Sequence, residues 1–152
     1  MSLYLEFDRI VRRFARARVR YAVAGGFAVG LHGYVRATQD MDFLVHGDDV
    51  PKAEAALLRM GYRANPAAQE LARAGLTLKR YFMRLPKEED LMVVDILIPD
   101  SARMKRVLKR ALCVPFGKRS LSVVTAEDLV AMKRVRGSKA DKADIEFLRK
   151  RR

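Results

Sequence analysis

The chain has 152 residues, half of them apolar, one cysteine and a formal charge of +13. This length and apolar content predict a single domain over residues 1–152 with a sizeable core, and the lone Cys113 excludes an internal disulfide and any cysteine-based metal site, so we expect it to be a small core residue. No apolar run approaches the roughly 20 residues of a membrane span and the N-terminus lacks a signal-peptide core, so the expected location is the cytoplasm.

The positive charge is concentrated in the C-terminal third. Residues 101–152 carry a net charge of +11, whereas residues 1–100 carry +2. Such a field attracts polyanions such as RNA, or an acidic protein partner, although it also fits a solvated surface that only aids solubility. No aromatic residue lies between Phe116 and Phe147, so nucleic acid bound there would be contacted through its phosphates rather than through stacked bases.

The N-terminal part predicts a helix, a strand and a second helix. Residues 3–18 place apolar side chains at helical spacing. Residues 21–24 form a short apolar strand, which Gly25-Gly26 interrupts before a helix over about 27–32. A backbone without side chains and with free N–H groups at a helix start can cradle phosphate. The glycine pair therefore predicts a phosphate-binding turn.

Two acidic residues begin the next apolar run. On a strand over 40–45, the side chains of Asp40 and Asp42 lie on one face, about 7 Å apart at most. Two like charges so placed favour a hard divalent cation between their oxygens. Arg36 precedes them by a few residues and could either neutralise the carboxylates or reach a phosphate.

The middle of the chain predicts a helix, an irregular segment and a hairpin. Asp48 or Asp49 caps the helix. Residues 62–76 lack strong periodicity and are expected to form a variable lobe that faces the substrate. Residues 77–85 and 91–98 are rich in strand formers and are joined by a charged turn, which indicates a β-hairpin.

Asp95 lies inside the second strand of that hairpin, where every neighbour is apolar. An unpaired ionised group would be costly there. Two arrangements would compensate the charge: a cation shared with Asp40 and Asp42, or an ion pair with an arginine such as Arg36.

The C-terminal third predicts three helices and one strand. A basic helix begins at Asp100 or Ser101, and Thr125 has the form of an N-terminal capping box in which Asp128 stands where Glu or Gln is usual. Gly137 separates the last two helices. The predicted helices are 101–112, 129–135 and 139–149, and the predicted strand is 120–124.

One motif carries a family resemblance: Gly25-Gly26, then Arg36-x-Thr38-x-Asp40-x-Asp42. It resembles the signature of the nucleotidyltransferase superfamily, which has the polymerase-beta-like fold, and most closely its minimal AbiEii-type branch of toxin-like enzymes. The family often has Gly-Ser where this chain has Gly-Gly, and both versions occur. The resemblance implies an α/β fold with a small mixed sheet flanked by helices and a helical C-terminal portion over about 125–152.

Two C-terminal stretches extend the resemblance to the helical pair that ends AbiEii-type enzymes: Asp128-Leu-Val-Ala-Met-Lys133 and Lys139-x-Asp141-x-x-Asp144-Ile145. It implies that Lys133 reaches toward the triphosphate and that Asp144 completes the site. Asp144 could instead only cap the helix or pair with Lys133 or Arg136. Many relatives have Lys-Asp before the final x-x-Asp-Ile, so Lys139 is displaced by one residue in this chain.

The resemblance implies a role for each site residue. Asp40 and Asp42 would bind two catalytic magnesium ions, and Asp95 would bind one of them and help to activate the attacking hydroxyl. The implied nucleotide-binding residues are Gly25, Gly26, Arg36, Thr38 and Lys133, and the implied catalytic residues are Asp40, Asp42, Asp95, Lys133 and Asp144.

The implied reaction is transfer of a nucleoside monophosphate from an NTP to a hydroxyl acceptor, with release of pyrophosphate. The basic C-terminal third indicates RNA, such as tRNA, as the acceptor, and a protein hydroxyl is a further possibility. Such bacterial enzymes are commonly toxins neutralised by a cognate antitoxin. The alternative is a non-catalytic member of the fold that binds nucleic acid or protein, but a pure binder has no need to keep three carboxylates together.

Overall fold

The computed structural model describes residues 2–66, 69–71, 74–86 and 90–150. Its helices are α1 (Leu3–Ala17), α2 (Gly25–Leu31), α3 (Val50–Arg59), α4 (Ala102–Lys109), α5 (Ala126–Arg136) and α6 (Lys139–Lys150). Its strands are β1 (Tyr21–Ala24), β2 (Asp40–Val45), β3 (Arg63–Ala64), β4 (Gln69–Leu71), β5 (Leu76–Arg84), β6 (Leu91–Pro99), β7 (Leu112–Phe116) and β8 (Arg119–Val123). Within these ranges, no helix has the length and apolar character needed to cross a membrane.

The strands form one mixed sheet in the order β3-β5-β6-β2-β1-β8-β7, and β4 also pairs with β5. The β2–β6 and β1–β8 pairs are parallel, and the other pairs are antiparallel. The predicted α/β class and mixed sheet are confirmed, as is the β5–β6 hairpin. The sheet is larger than expected, because it has eight strands.

Helices α1 and α3 cover one face of the sheet. Phe43 of β2 points to this face, and its ring stacks on Phe7 of α1 with centroids 5.7 Å apart. Tyr81 of β5 is fully buried on the same face and donates its hydroxyl hydrogen to Glu54 of α3. Successive side chains of a strand point to opposite faces of the sheet. Asp40 and Asp42 alternate with Phe43 along β2, so they point to the opposite face.

Of the two predicted helix caps, Thr125 is confirmed, whereas the side chain of Asp49 binds a different partner. Asp49 occupies the N-cap position of α3, but its carboxylate accepts hydrogen bonds from the backbone N and Nε of Arg20, each at 2.8 Å. Thr125 caps α5 as predicted, because its hydroxyl accepts from the backbone N of Asp128 at 3.1 Å. The carboxylate of Asp128 does not complete a capping box. It binds the guanidinium of Arg110 and ties the end of α4 to the start of α5.

Strand β7, at one edge of the sheet, accounts for two further differences from the sequence prediction. Helix α4 ends at Lys109 rather than near residue 112, because strand β7 begins at Leu112 and pairs with β8. Strand β7 is the last strand of the sheet, and its residues are exposed or only partly buried. Cys113 lies on β7 and is exposed, so the expectation that it is a core residue is wrong.

Candidate active site

The structure brings the three predicted carboxylates to one face of the sheet. Asp42 lies directly opposite Asp95 across the parallel β2–β6 pair, and Asp40 is two residues earlier on β2. Directly opposed residues and residues two apart on a strand share a face. Asp95 is 3% exposed, whereas the side chain of Asp40 is 42% exposed. The three form the acid group of this site.

The acid group lacks compensating positive charge at its centre. Burial, followed by the charges of Asp95 and Asp40, raises the pKa of Asp42 to about 7. Burial and the charge of Asp95 also raise the pKa of Asp40, although Arg80 opposes this shift. Bringing like charges together in a partly desolvated position disfavours the ionised form of each. Asp42 therefore binds a proton, or an added cation, more readily than an isolated aspartate.

Arg80 of β5 is the site residue that the sequence analysis missed. It lies directly opposite Asp95 in the hairpin, and its Nε and Nη2 donate to the two carboxylate oxygens at 2.8 and 2.9 Å. Its Nη2 is also 3.8 Å from Oδ2 of Asp40. Arg36, which was considered as an arginine partner of Asp95, pairs with Asp144 instead. The predicted hairpin was the sequence feature that could have identified Arg80, because the correct register of its strands places Arg80 opposite Asp95.

The glycine pair lies against the acid group. Gly25 has a φ of +60°, and an added Cβ would lie 2.0 Å from Oδ2 of Asp42. A Cβ on Gly26 would lie 2.7 Å from Oγ1 of Thr38 and 3.2 Å from Nη2 of Arg36. Only glycine allows so close an approach of the backbone at position 25. At position 26, Thr38 and Arg36 fill the space that a side chain would take.

A second group of carboxylates lies on α6, and basic side chains surround it. Asp144 is fully buried. It accepts hydrogen bonds from Nε and Nη2 of Arg36 at 2.7 and 2.6 Å, and Nζ of Lys133 is 2.9 Å away. Burial alone would raise the pKa of Asp144, but the hydrogen bonds from these two cations lower it. Of the alternatives left open for Asp144, the pair with Lys133 is present.

Asp141 is the other member of this helical acid pair, Asp141 and Asp144. It is fully buried and accepts from Nε and Nη2 of Arg136 at 2.7 and 2.6 Å and from the backbone N of Ser138 at 3.1 Å. Hydrogen bonds from Arg136 and Ser138 lower its pKa well below the usual range, against the effect of burial. Lys139 is exposed at the start of α6 and forms no ion pair with any residue that the structure describes.

Basic residues held by the helical acid pair also act on the acid group. The positive charges of Arg136 and Lys133 offset part of the rise in the pKa of Asp42, and that of Arg136 offsets part of the rise in the pKa of Asp40. Lys133 is 5% exposed and is held by both Asp141 and Asp144. The site thus has carboxylates in the middle and the fixed guanidinium of Arg36 beside Gly26.

The chemistry of the acid group fits a divalent cation. In the described part of the chain, no three Asp, Glu, His or Cys side chains already stand in a metal-holding arrangement, and Arg80 supplies part of the missing positive charge. Carboxylate oxygens are nevertheless the ligands that Mg²⁺ prefers, and each carboxylate oxygen has two lone pairs. Asp95 could therefore bind a metal ion while it still accepts from Arg80.

A family model described as "Uncharacterised nucleotidyltransferase" matches residues 1–144 of the chain. Among solved structures, the lincosamide antibiotic adenylyltransferase LnuA, with lincomycin bound, is similar with a TM-score of 0.67 and 17% identity over 95% of this chain and 94% of that one. A candidate nucleotidyltransferase from Thermotoga maritima is similar with a TM-score of 0.63 and 14% identity, over 97% of this chain and 91% of that one. The antibiotic-resistance factor ANT(2″)-Ia is similar with a TM-score of 0.54 and 15% identity, over 94% of this chain and 86% of that one. No curated protein sequence matches significantly.

Proposed function

The chain belongs to the nucleotidyltransferase family whose model it matches over residues 1–144, and on that premise we propose that it transfers a nucleoside monophosphate from an NTP to a hydroxyl acceptor in a metal-dependent reaction. The observation that carries the proposal is the placement of Asp40, Asp42 and Asp95 on one sheet face, with Gly25 against Asp42. This arrangement joins a cation-binding group to a turn where a phosphate can approach the backbone.

The acid group would hold the metal ions. Two Mg²⁺ ions, when bound, would neutralise the charge that develops on the attacking and leaving oxygens. Asp40 and Asp42 would bind both ions, and Asp95 would bind one and assist removal of the proton from the acceptor hydroxyl. The protein contributes position and charge rather than a covalent intermediate.

The glycine pair and the neighbouring cations would hold the triphosphate. The side chains of Thr38 and Arg36 both lie beside Gly26, where an added Cβ would meet them. Asp144 fixes the guanidinium of Arg36 and the ammonium of Lys133. Cations whose positions are set before the substrate arrives stabilise charge without reorganisation. Asp144 would thus act as a positioning residue in the site.

RNA, such as tRNA, is the proposed acceptor class, and its support is the net charge of +11 on residues 101–152. Placement in the AbiEii-type branch, a toxin role and a cognate antitoxin rest on the motif resemblance and belong to the same proposal. The cytoplasm is the proposed compartment, as it would supply both NTP and RNA.

A small-molecule hydroxyl is the second candidate acceptor. LnuA has been solved with lincomycin bound, and ANT(2″)-Ia has been solved with adenylyl-2″-tobramycin. Their fold is shared with this chain over most of its length, which is why an antibiotic acceptor is included in the test.

The test is incubation of the protein with each labelled NTP, Mg²⁺ and total bacterial RNA, and in parallel with lincomycin, tobramycin or a bacterial protein extract. The control is the Asp40→Ala/Asp42→Ala variant. Label that enters RNA only with the natural protein would support the full proposal and identify the nucleotide, and label on an antibiotic or a protein would change the acceptor. No transfer, combined with RNA binding that ignores NTP and Mg²⁺, would favour the non-catalytic alternative.

A further inference from the structure

The site residues form a straight row across four adjacent strands. Arg80 of β5 lies opposite Asp95 of β6, Asp95 lies opposite Asp42 of β2, and Asp42 lies opposite Ala24 of β1, which Gly25 follows directly. Adjacent strands are about 4.8 Å apart, so the row is about 14 Å long. One end carries the glycine pair, and the other carries Arg80.

The two ends of the row have different parts in the reaction, if the proposed function holds. In phosphoryl transfer the attacking and leaving oxygens lie roughly in line on opposite sides of the phosphorus atom. The glycine pair and Lys133 occupy the end proposed for the triphosphate, where pyrophosphate would leave. The acceptor hydroxyl must then approach from the end that holds Asp95 and Arg80.

Beyond Arg80, the same sheet face continues with exposed arginines. Arg84 is four residues later on β5, and Arg63 of β3 lies opposite Phe82, which stands between Arg80 and Arg84 on that face. Arg63, Arg80 and Arg84 are all exposed. Within the part of the chain that the structure describes, neither Arg63 nor Arg84 forms an ion pair.

An apolar strip runs between these arginines. Phe82 is partly exposed and, among the described residues, does not belong to the set that packs on the core. On β6, Val93 lies opposite Phe82 and Leu91 lies opposite Arg84, and Leu91 is 45% exposed. We call this surface the arginine face, and its members are Arg63, Arg80, Phe82, Arg84, Leu91 and Val93.

We propose that the arginine face binds the single-stranded end of an RNA acceptor and leads its terminal hydroxyl to Asp95. Guanidinium groups would contact the phosphates, and a base would stack on Phe82, which is the combination that single-strand binding surfaces use. Duplex RNA is recognised mainly through its backbone and offers no free base to Phe82. A polycationic aminoglycoside would be repelled by Arg63 and Arg84.

The proposed RNA surface is the sheet face beside the acid group and not the basic C-terminal third. The C-terminal third has no aromatic side chain between Phe116 and Phe147. The arginine face has Phe82 between its cations and continues directly into the row of site residues. Its position makes it the part of the surface where bound RNA would meet the reacting atoms.

The experiment measures binding of a fluorescein-labelled single-stranded RNA with a free 3′ hydroxyl by anisotropy, without NTP or metal, so that it does not depend on catalysis. The variants are Arg63→Ala/Arg84→Ala and Phe82→Leu. The matched control is Arg13→Ala/Arg16→Ala, which removes the same charge from exposed positions on α1, across the sheet. A second comparison is Arg106→Ala/Lys109→Ala on α4 in the basic C-terminal third.

We expect the arginine pair variant to weaken RNA binding at least tenfold and to flatten the slope of log affinity against log salt by about 1.4, which corresponds to two lost phosphate contacts. Phe82→Leu should weaken binding of single-stranded RNA about tenfold, with no change for duplex RNA. The α1 control should stay within twofold. A tenfold loss in the α4 variant, with no loss in the arginine pair variant, would overturn the inference.

Transfer assays separate this inference from the proposed function. In the arginine pair variant, Mg²⁺-dependent NTP binding should be unchanged, and the KM for RNA should rise with kcat retained. A natural protein that binds NTP and transfers label only to an antibiotic or a protein would overturn the RNA surface and leave the transferase proposal intact. RNA binding that depends on Arg63 and Arg84, in a protein that transfers nothing, would keep the surface and reject the transferase.

Discussion

The protein holds two groups of carboxylates that differ in how the chain compensates their charge. In the helical acid pair, Asp141 and Asp144 are fully buried, and arginine and lysine hydrogen bonds lower the pKa of each. In the acid group, Asp42 forms no ion pair with any described residue, and its pKa rises to about 7. The same type of side chain therefore has opposite pKa shifts in the two groups.

The helical acid pair is compensated by cations of the chain itself, whereas the acid group is arranged to bind an external cation. The helical acid pair fixes Arg36, Lys133 and Arg136, and its charge requirement is met by the chain itself. The acid group keeps two like charges beside Asp42, an arrangement that costs stability and is typical of functional sites. Arg80 offsets part of this charge at Asp95, and a divalent cation would offset the rest.

The largest expected effect is on activity. Asp42→Asn removes the central carboxylate of the row while it keeps the side-chain shape, so we expect kcat/KM for nucleotidyl transfer to fall by about three orders of magnitude. The matched control is Asp48→Asn, whose side chain is 84% exposed outside the site. Steady-state kinetics of transfer to whichever acceptor the labelling assay identifies provide the measurement. Activity above a tenth of the natural level would show that the acid group does not hold the catalytic ions.

The next effect is on stability. Asp144→Ala leaves the charges of Arg36 and Lys133 without their buried partner, and breaking a buried ion pair costs about 3–5 kcal/mol. Urea unfolding followed by circular dichroism measures the loss. Glu146→Ala removes an acidic residue from the exposed side of the same helix, where its pair with Lys150 is solvated, and should leave the stability nearly unchanged. Similar curves for both variants would mean that the helical acid pair is not structural.

These two groups also show how far the sequence predicts the molecule. Strands β1, β2, β5 and β6 were predicted within one residue of their observed ends, because apolar runs and glycines are local signals. The shared face of Asp40 and Asp42 follows from the two-residue period of a strand alone. Strand β7 was missed. Its first residue, Leu112, was assigned to the preceding helix, and Pro115 argues against a strand, although an edge strand accepts proline.

The parts of the site that were not predicted depend on contacts between distant residues. Arg80 meets Asp95 through the register of a hairpin whose turn length the sequence does not specify. Asp141 was quoted in the C-terminal motif without a role, because its pairing with Arg136 requires the turn at Gly137 to bring the two helices together. The partner of Asp144 was one of several that its position on a helix allowed, and only packing chose among them.

A smaller effect is expected in the pH dependence of stability. The folded pKa of Asp42, about 7, lies above the unfolded value of 3.8, so the folded state holds the proton more tightly than the unfolded chain. This contribution is fully present below pH 4 and is lost as the pH rises through 7. The Asp42→Asn protein has no carboxyl group to ionise at this position, so it does not lose this stability as the pH rises. Without metal, its gain in the free energy of unfolding should be larger at pH 8 than at pH 4, by about 1–3 kcal/mol.

Chemical unfolding of the natural and variant proteins in EDTA at both pH values measures this gain, and the comparison cancels the titration of other carboxylates. Added Mg²⁺ should stabilise the natural protein at pH 8 and have much less effect on the Asp42→Asn protein. An equal gain at pH 4 and pH 8 would show that Asp42 is already compensated, and the contrast with Asp141 and Asp144 would not hold.

An effect of similar size is expected at Gly26, which stands between the two groups. Its missing side chain leaves room for Thr38 and for the guanidinium of Arg36, which Asp144 holds in place. Gly26→Ala should lower the free energy of unfolding by about 1–3 kcal/mol, because the methyl group would meet Thr38 at 2.7 Å. Gly30→Ala is the matched control on the same helix, because nothing lies within 4 Å of its added Cβ.

Adding Thr38→Ala to Gly26→Ala tests whether the fixed arginine also limits this space. If Thr38 alone causes the clash, the double variant should recover the whole loss. Because Nη2 of Arg36 would still lie 3.2 Å from the new methyl group and cannot move without breaking its bonds to Asp144, we expect recovery of about half. Full recovery would mean that the helical acid pair leaves Arg36 free to shift, and that its cations are less fixed than their burial and hydrogen bonds indicate.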